Sequence, residues 1–142
     1  MKSWLAVALM LSAVPNIVLA NDQIAGMFGD EAPYVEAFDA LQAAVAADDA
    51  EAVAAMIAYP FKVTADGEEY VFDGPEGVIE HYPSIVTDEI KEAVAAQDYE
   101  YLFANQDGIM FGEGQVWLSG ICLDDACEKV EVKIVTIQST KE

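Results

Sequence analysis

The hydrophobic pattern changes from a helical period to a β alternation near residue 99, and this change constrains the fold most strongly. Before it, four large apolar residues recur at spacings of three and four, as expected for one face of a helix over residues 33–47. They are Tyr34, Phe38, Leu41 and Val45. After it, short apolar runs alternate with glycine-containing turns, which predicts strands at 101–103, 109–111, 116–118, 121–123 and 128–138. Helices that precede strands indicate an α+β class with an antiparallel meander.

Turn and capping residues divide the remaining chain into short elements. Asp48 and Asp49 are expected to end the first helix and to cap a second over residues 50–58. The other predicted elements are a hairpin of strands 59–64 and 68–72, a short helix that Pro83 ends, and a helix over 88–97 that Thr87 caps.

The first twenty residues have the pattern of a secretory signal peptide. Lys2 precedes an apolar stretch over 4–14 that is too short to span a membrane, and Val18 and Ala20 stand three and one positions before Asn21. Cleavage after Ala20 leaves residues 21–142 as one domain, with its ordered part at about 33–138. We expect a periplasmic or secreted protein, and an amino-terminal membrane anchor is the competing interpretation.

The two cysteines, Cys122 and Cys127, enclose a turn-like tetrapeptide between two apolar runs. In an exported protein, a pair across such a hairpin is typical of a disulfide. A redox pair or half of a metal site is the alternative. The spacing differs from C-x-x-C, and the single histidine, His81, is distant in sequence, so we expect a structural disulfide and no metal centre.

The charge balance excludes some classes of partner. The chain has 26 acidic residues against 6 lysines and no arginine, so it repels nucleic-acid phosphates and anionic lipid surfaces. Apolar residues nevertheless form 54% of the chain, which indicates a folded domain and not an acidic disordered tail. The acidic runs lack the D-x-[DN]-x-[DN]-G calcium pattern and are interpreted as solvated surface.

The order of two helices, a hairpin, two short helices and a run of strands resembles the cystatin-like α+β cone of the nuclear transport factor 2 family. The resemblance covers about residues 34–138, and segments 59–61, 74–82 and 108–117 are similar to small exported bacterial proteins of unassigned function. It implies helices packed on a strongly curved antiparallel sheet that often encloses a pocket.

Two sets of candidate residues follow from this resemblance and from the aromatic pattern. Isomerases and dehydratases of the family use an Asp with a Tyr or His, and the candidates here are Asp73, His81, Tyr82 and Tyr99. The second set either forms core beneath the helices or lines a pocket for an apolar ligand. Its members are Tyr101, Phe103, Met110 and Trp117.

Our leading hypothesis is a non-enzymatic periplasmic binding domain. Its partner would be a basic protein that it inhibits or neutralises, such as a cell-wall hydrolase or toxin, or a small apolar ligand held in the cone. An acid–base isomerase or dehydratase is the alternative, and a third interpretation is that the acidity reflects only a saline environment. We expect no cofactor, and a homodimer is left open.

Overall fold

The computed structural model describes residues 21–141, so the predicted signal peptide lies outside the described residues. These residues form an α+β domain with six α-helices and two antiparallel sheets. The helices are α1 (Asp22–Phe28), α2 (Ala32–Ala46), α3 (Ala50–Ala55), α4 (Pro75–Glu80), α5 (Tyr82–Ile85) and α6 (Asp88–Ala96). The strands are β1 (Phe61–Ala65), β2 (Glu68–Phe72), β3 (Phe103–Asn105), β4 (Gly108–Phe111), β5 (Val116–Cys122) and β6 (Val130–Ile137), and a 3₁₀ turn (Tyr99–Tyr101) precedes β3.

Helices α2 and α6 form where the apolar spacing predicts them. All four members of the α2 face are buried, and so are Ile90 and Val94 of α6. The Asp49 side chain accepts a hydrogen bond from the Ala52 amide at 3.1 Å and caps α3 as predicted. The period of 3.6 residues therefore located the helices that cover the core.

Two expected helix signals act differently in the structure. Pro83 lies in the first turn of α5 instead of ending α4, because a residue without an amide hydrogen is tolerated there. Thr87 precedes α6, but its side chain makes no capping hydrogen bond. A further helix, α1, is capped by Asn21, which accepts hydrogen bonds from two amides of the first turn.

The main sheet has the strand order β3-β4-β5-β6, and β1 pairs only with β2 in a separate hairpin. The strands expected at 116–118 and 121–123 are one continuous strand, β5. The sheet is not strongly curled, so the expected cone is not confirmed. Four strands with one register shift, at Trp117 and Leu118, provide little of the bulge-induced bending that strong curvature requires.

The two faces of this sheet differ sharply in burial. One cross-strand row faces the helices and is buried, and its members are Ala104, Ile109, Leu118 and Ile134. The adjacent row faces outward, and its members are Phe103, Met110, Trp117 and Thr136. Successive side chains of a strand point to opposite faces, so the register places the second row on the side that the helices leave uncovered.

Cys122 and Cys127 form the predicted disulfide at the exposed end of the β5–β6 hairpin. The bond joins cysteines five positions apart in sequence, so its contribution in the chain-entropy model is only about 2 kcal/mol. We therefore expect a Cys122→Ser/Cys127→Ser variant to stay folded and to lose about 2 kcal/mol or less in urea unfolding. Complete unfolding of this variant in water would contradict the expectation that the hydrophobic core, and not the disulfide, provides most of the stability.

Glu89 of α6 holds the end of the described chain. Its carboxylate accepts hydrogen bonds from the Ser139 hydroxyl at 2.6 Å and from the Thr140 amide at 2.9 Å. These bonds lower the pKa of Glu89. A lowered folded-state pKa means that the contribution to stability is present above the unfolded pKa and is lost as the pH falls through the folded value.

We therefore expect acidification below about pH 4 to release residues 139–141, seen as falling ¹⁵N order parameters. Glu89→Gln should loosen the same residues at neutral pH, whereas Glu92→Gln on the same helix should not. Unchanged order parameters in Glu89→Gln would show that this carboxylate does not hold the segment.

Candidate interaction surface

Three large side chains lie beside one another on the uncovered face of the main sheet. The register pairs Phe103 with Met110 and Met110 with Trp117. The rings of Phe103 and Trp117 meet edge to face with their centroids 6.5 Å apart. We call Phe103, Met110 and Trp117 the outer apolar row. Phe103 is 44% exposed, and Tyr101, two residues earlier in the chain, is 73% exposed.

A groove of about 320 Å³ lies against Trp117 at one end of this row. Its walls include Asp107 in the β3–β4 turn and Thr136 and Gln138 at the end of β6. The register shift between β5 and β6 at Trp117 and Leu118 leaves Val135, which also lines the groove, without a partner in β5. The groove thus combines an aromatic ring, a carboxylate and neutral hydrogen-bonding groups.

The residues predicted either to form core or to line a pocket for an apolar ligand lie on the outer side of the domain. Phe103, Met110 and Trp117 are on the uncovered face of the sheet, and Tyr101 is in the turn before β3. Tyr101, Phe103, Met110 and Trp117 do not pack beneath the helices. The core there is built around Phe111, whose ring stacks on Phe38 of α2 at a centroid distance of 5.4 Å. These four residues remain candidates for ligand contacts, but on an open face.

The structure does not assemble the four candidate acid–base residues into one site. Within residues 21–141, no hydrogen bond joins any two of Asp73, His81, Tyr82 and Tyr99, and Asp73 is exposed between β2 and α4. His81 lies beside the stacked rings of Tyr70 and Phe72, with centroids 4.8 and 5.3 Å away. Its Nδ1 donates to the Gly77 carbonyl at 2.9 Å, which fixes the ring against its own helix.

The two candidate tyrosines are held in their protonated forms. Burial raises the pKa of Tyr82, and the negative charge of Asp48 raises it further. Burial and the Glu31 carboxylate likewise raise the pKa of Tyr99, whose hydroxyl donates to Glu31 Oε1 at 3.2 Å. A tyrosine with a raised pKa is a hydrogen-bond donor and a poor general base near neutral pH.

A separate cavity of about 410 Å³ lies between the α1–α2 connection and the β5–β6 hairpin. Phe28 and Tyr34 stack at 4.7 Å on one side of it, and Asp30 and Glu128 contribute carboxylates. Gly120 also lines the cavity. A Cβ at this position would lie only 2.7 Å from the Tyr34 hydroxyl, so a larger residue would crowd the Tyr34 side chain. The cavity lining mixes carboxylates with aromatic rings and includes Cys127 of the disulfide, but none of the candidate acid–base or apolar-ligand residues.

Residues 21–141 contain no group of three or more His, Cys, Asp or Glu side chains placed to hold a metal ion. None of the helices in this range has the length and apolar character needed to cross a membrane. The candidate functional surface is the uncovered sheet face with its groove, because it groups the outer apolar row with the Asp107 carboxylate.

Comparisons of the chain with models of protein families, with curated proteins and with solved structures found no match.

Proposed function

We propose that this protein is a non-enzymatic binding domain whose outer apolar row docks a cationic protein. The observation that carries the proposal is the row itself, which crosses β3, β4 and β5 on a face that none of the helices α1–α6 covers. Phe103 is exposed, and Met110 and Trp117 are half-buried. Large apolar side chains grouped on one accessible surface are typical of interaction sites.

The residue types in the row suit a protein interface. Aromatic residues and methionine are enriched in interfaces, and a tryptophan near the centre of a contact is often the residue that contributes most to affinity. Trp117 pairs with Met110 on one side and with Thr136 on the other, so it lies on a strand that is paired on both sides and not at the edge of the sheet.

The charge of the chain favours a cationic partner. The formal net charge is −20, and only 6 lysines oppose 26 acidic residues. Such a surface repels acidic proteins and steers basic ones, which raises the association rate at low ionic strength.

The groove beside Trp117 indicates which partner side chain would enter. A lysine or arginine could place its aliphatic stem against the indole ring and its charge near the Asp107 carboxylate. The open groove is bounded by only a few side chains, which suits one extended side chain better than a small enclosed ligand.

The disulfide supports an oxidising, extracytoplasmic location, as the predicted signal peptide does. Basic cell-wall hydrolases and toxins are proteins of the required charge in that compartment. The proposed role is to bind such a protein and block its action.

Affinity capture across a salt series tests this function. The immobilised protein is exposed to native periplasmic proteins that a cation exchanger has retained, at low and at high salt. We expect one basic hydrolase or toxin to be retained at low salt, to dissociate more readily at high salt and to lose activity in the complex. Retention that is indifferent to salt, or no specific retention, would contradict the proposal.

A further inference from the structure

Asn21, the first residue after the predicted cleavage site, is buried, with only 2% of its surface exposed. Its Nδ2 donates to the carbonyl oxygens of Tyr99 at 2.9 Å and Leu102 at 3.0 Å. Its Oδ1 accepts from the amides of Gln23 at 3.0 Å and Ile24 at 3.2 Å. Four hydrogen bonds to the backbone hold this side chain, and they therefore fix the position of its main-chain nitrogen.

That nitrogen faces a carboxylate. It lies 2.9 Å from Oε1 of Glu31, and the Tyr99 hydroxyl donates to the same oxygen at 3.2 Å. Glu31 is the residue that precedes α2, so the contact joins the start of α1 to the start of the longest helix. A peptide amide here makes an ordinary hydrogen bond, whereas an ammonium group would make a charge-assisted one.

We infer that cleavage after Ala20 creates an α-ammonium group at Asn21 that Glu31 binds, so that processing of the chain strengthens the fold. Two independent observations support this ion pair between the Asn21 α-ammonium group and Glu31. The sequence places small or aliphatic residues, Val18 and Ala20, where a signal peptidase requires them, and the structure places a carboxylate beside the nitrogen that cleavage would free.

The burial of Asn21 also indicates whether cleavage or folding of this segment comes first. A protease must reach the bond between Ala20 and Asn21 in an extended and accessible segment, but the folded domain buries Asn21 against Tyr99 and Leu102. Cleavage therefore precedes docking of Asn21. The docked residue then helps to hold α1 against β3, where Gln23 Oε1 also accepts from the Ala104 amide at 3.3 Å.

The test uses the full chain, exported with its own leader and purified from the periplasm. We expect its intact mass to identify Asn21 as the first residue. A glycine inserted between Ala20 and Asn21 moves the ammonium group one residue away, and Glu31→Gln removes the charge that receives it. Each change should lower the folded-to-unfolded ratio by about tenfold, and the two together should cost little more than either alone.

Glu36→Gln, on the exposed surface of α2, serves as the matched control and should have no such coupling to the insertion. A mature chain that begins elsewhere, or strictly additive effects of the insertion and Glu31→Gln, would overturn the inference. If the insertion prevents folding, a second measurement replaces it: the rate at which acetic anhydride acylates the α-amine, followed by peptide mapping. This acylation should be slower in the wild type than in Glu31→Gln, and equal rates would overturn the inference.

Discussion

Phe111→Ala should be among the most destabilising single changes in the domain, with a loss of about 3–5 kcal/mol in the free energy of unfolding. Phe111 is completely buried, and its ring stacks on Phe38, which in turn meets Tyr99 edge to face at 5.5 Å. Truncation would remove the ring that joins the sheet to α2 and would leave a cavity that rigid neighbours cannot fill. Urea unfolding followed by circular dichroism measures the loss.

Phe103→Ala is the matched control, since it deletes the same ring from the opposite face of the same sheet. Phe103 is 44% exposed, so we expect a loss of about 1 kcal/mol or less. Similar losses of stability in Phe103→Ala and Phe111→Ala would show that the outer face is packed as tightly as the core, which would contradict an accessible outer apolar row.

Trp117→Ser should reduce affinity for the captured cationic partner by about thirtyfold or more while the protein stays folded. The reason is that Trp117 belongs to the outer apolar row and also forms a wall of the groove that contains Asp107. Phe103→Ser should weaken binding in the same direction. Titration calorimetry at low salt gives the affinities, and thermal unfolding confirms that each variant is folded.

Val71→Ser is the control variant, because it removes an exposed apolar side chain that lies outside the outer apolar row. Val71 is 61% exposed on β2, which belongs to the separate hairpin and not to the main sheet. The affinity of the Val71→Ser variant for the captured partner should stay within about twofold of the wild-type value. A loss in Val71→Ser as large as that in Trp117→Ser would show that binding is not localised to the row.

Helices α2, α3 and α6 and the β1–β2 hairpin could be predicted because each has a strong local signal. Helix α2 has apolar residues at the helical period, and Asp66-Gly67 marks the hairpin turn. The disulfide followed from the cysteine spacing and the apolar runs on either side. These features depend on residues that are neighbours in the chain.

The orientation of the main sheet could not be predicted, because its first strands are apolar on both faces. In β4, Ile109 and Phe111 are buried while Met110 between them faces outward, and all three are hydrophobic. Alternation distinguishes the faces of a strand only when one face is polar. The aromatic residues were therefore identified, but the side of the sheet on which they lie was not.

Helix α1 was missed for a different reason. It has only seven residues and includes Gly26, so its intrinsic helical tendency is weak. Its position depends on the burial of Ile24 and on the bonds from Asn21 to Tyr99 and Leu102, which are distant in sequence. Contacts of this kind are visible only in the folded structure.

Mapping the footprint of the captured partner on the ¹⁵N-labelled protein tests the central claim most directly. We predict that amide shift changes concentrate on β3, β4 and β5, with the largest at Met110 and Trp117, and that they extend to Asp107 beside the groove. Changes confined to the cavity between Phe28 and the β5–β6 hairpin, or none along the outer apolar row, would contradict the account.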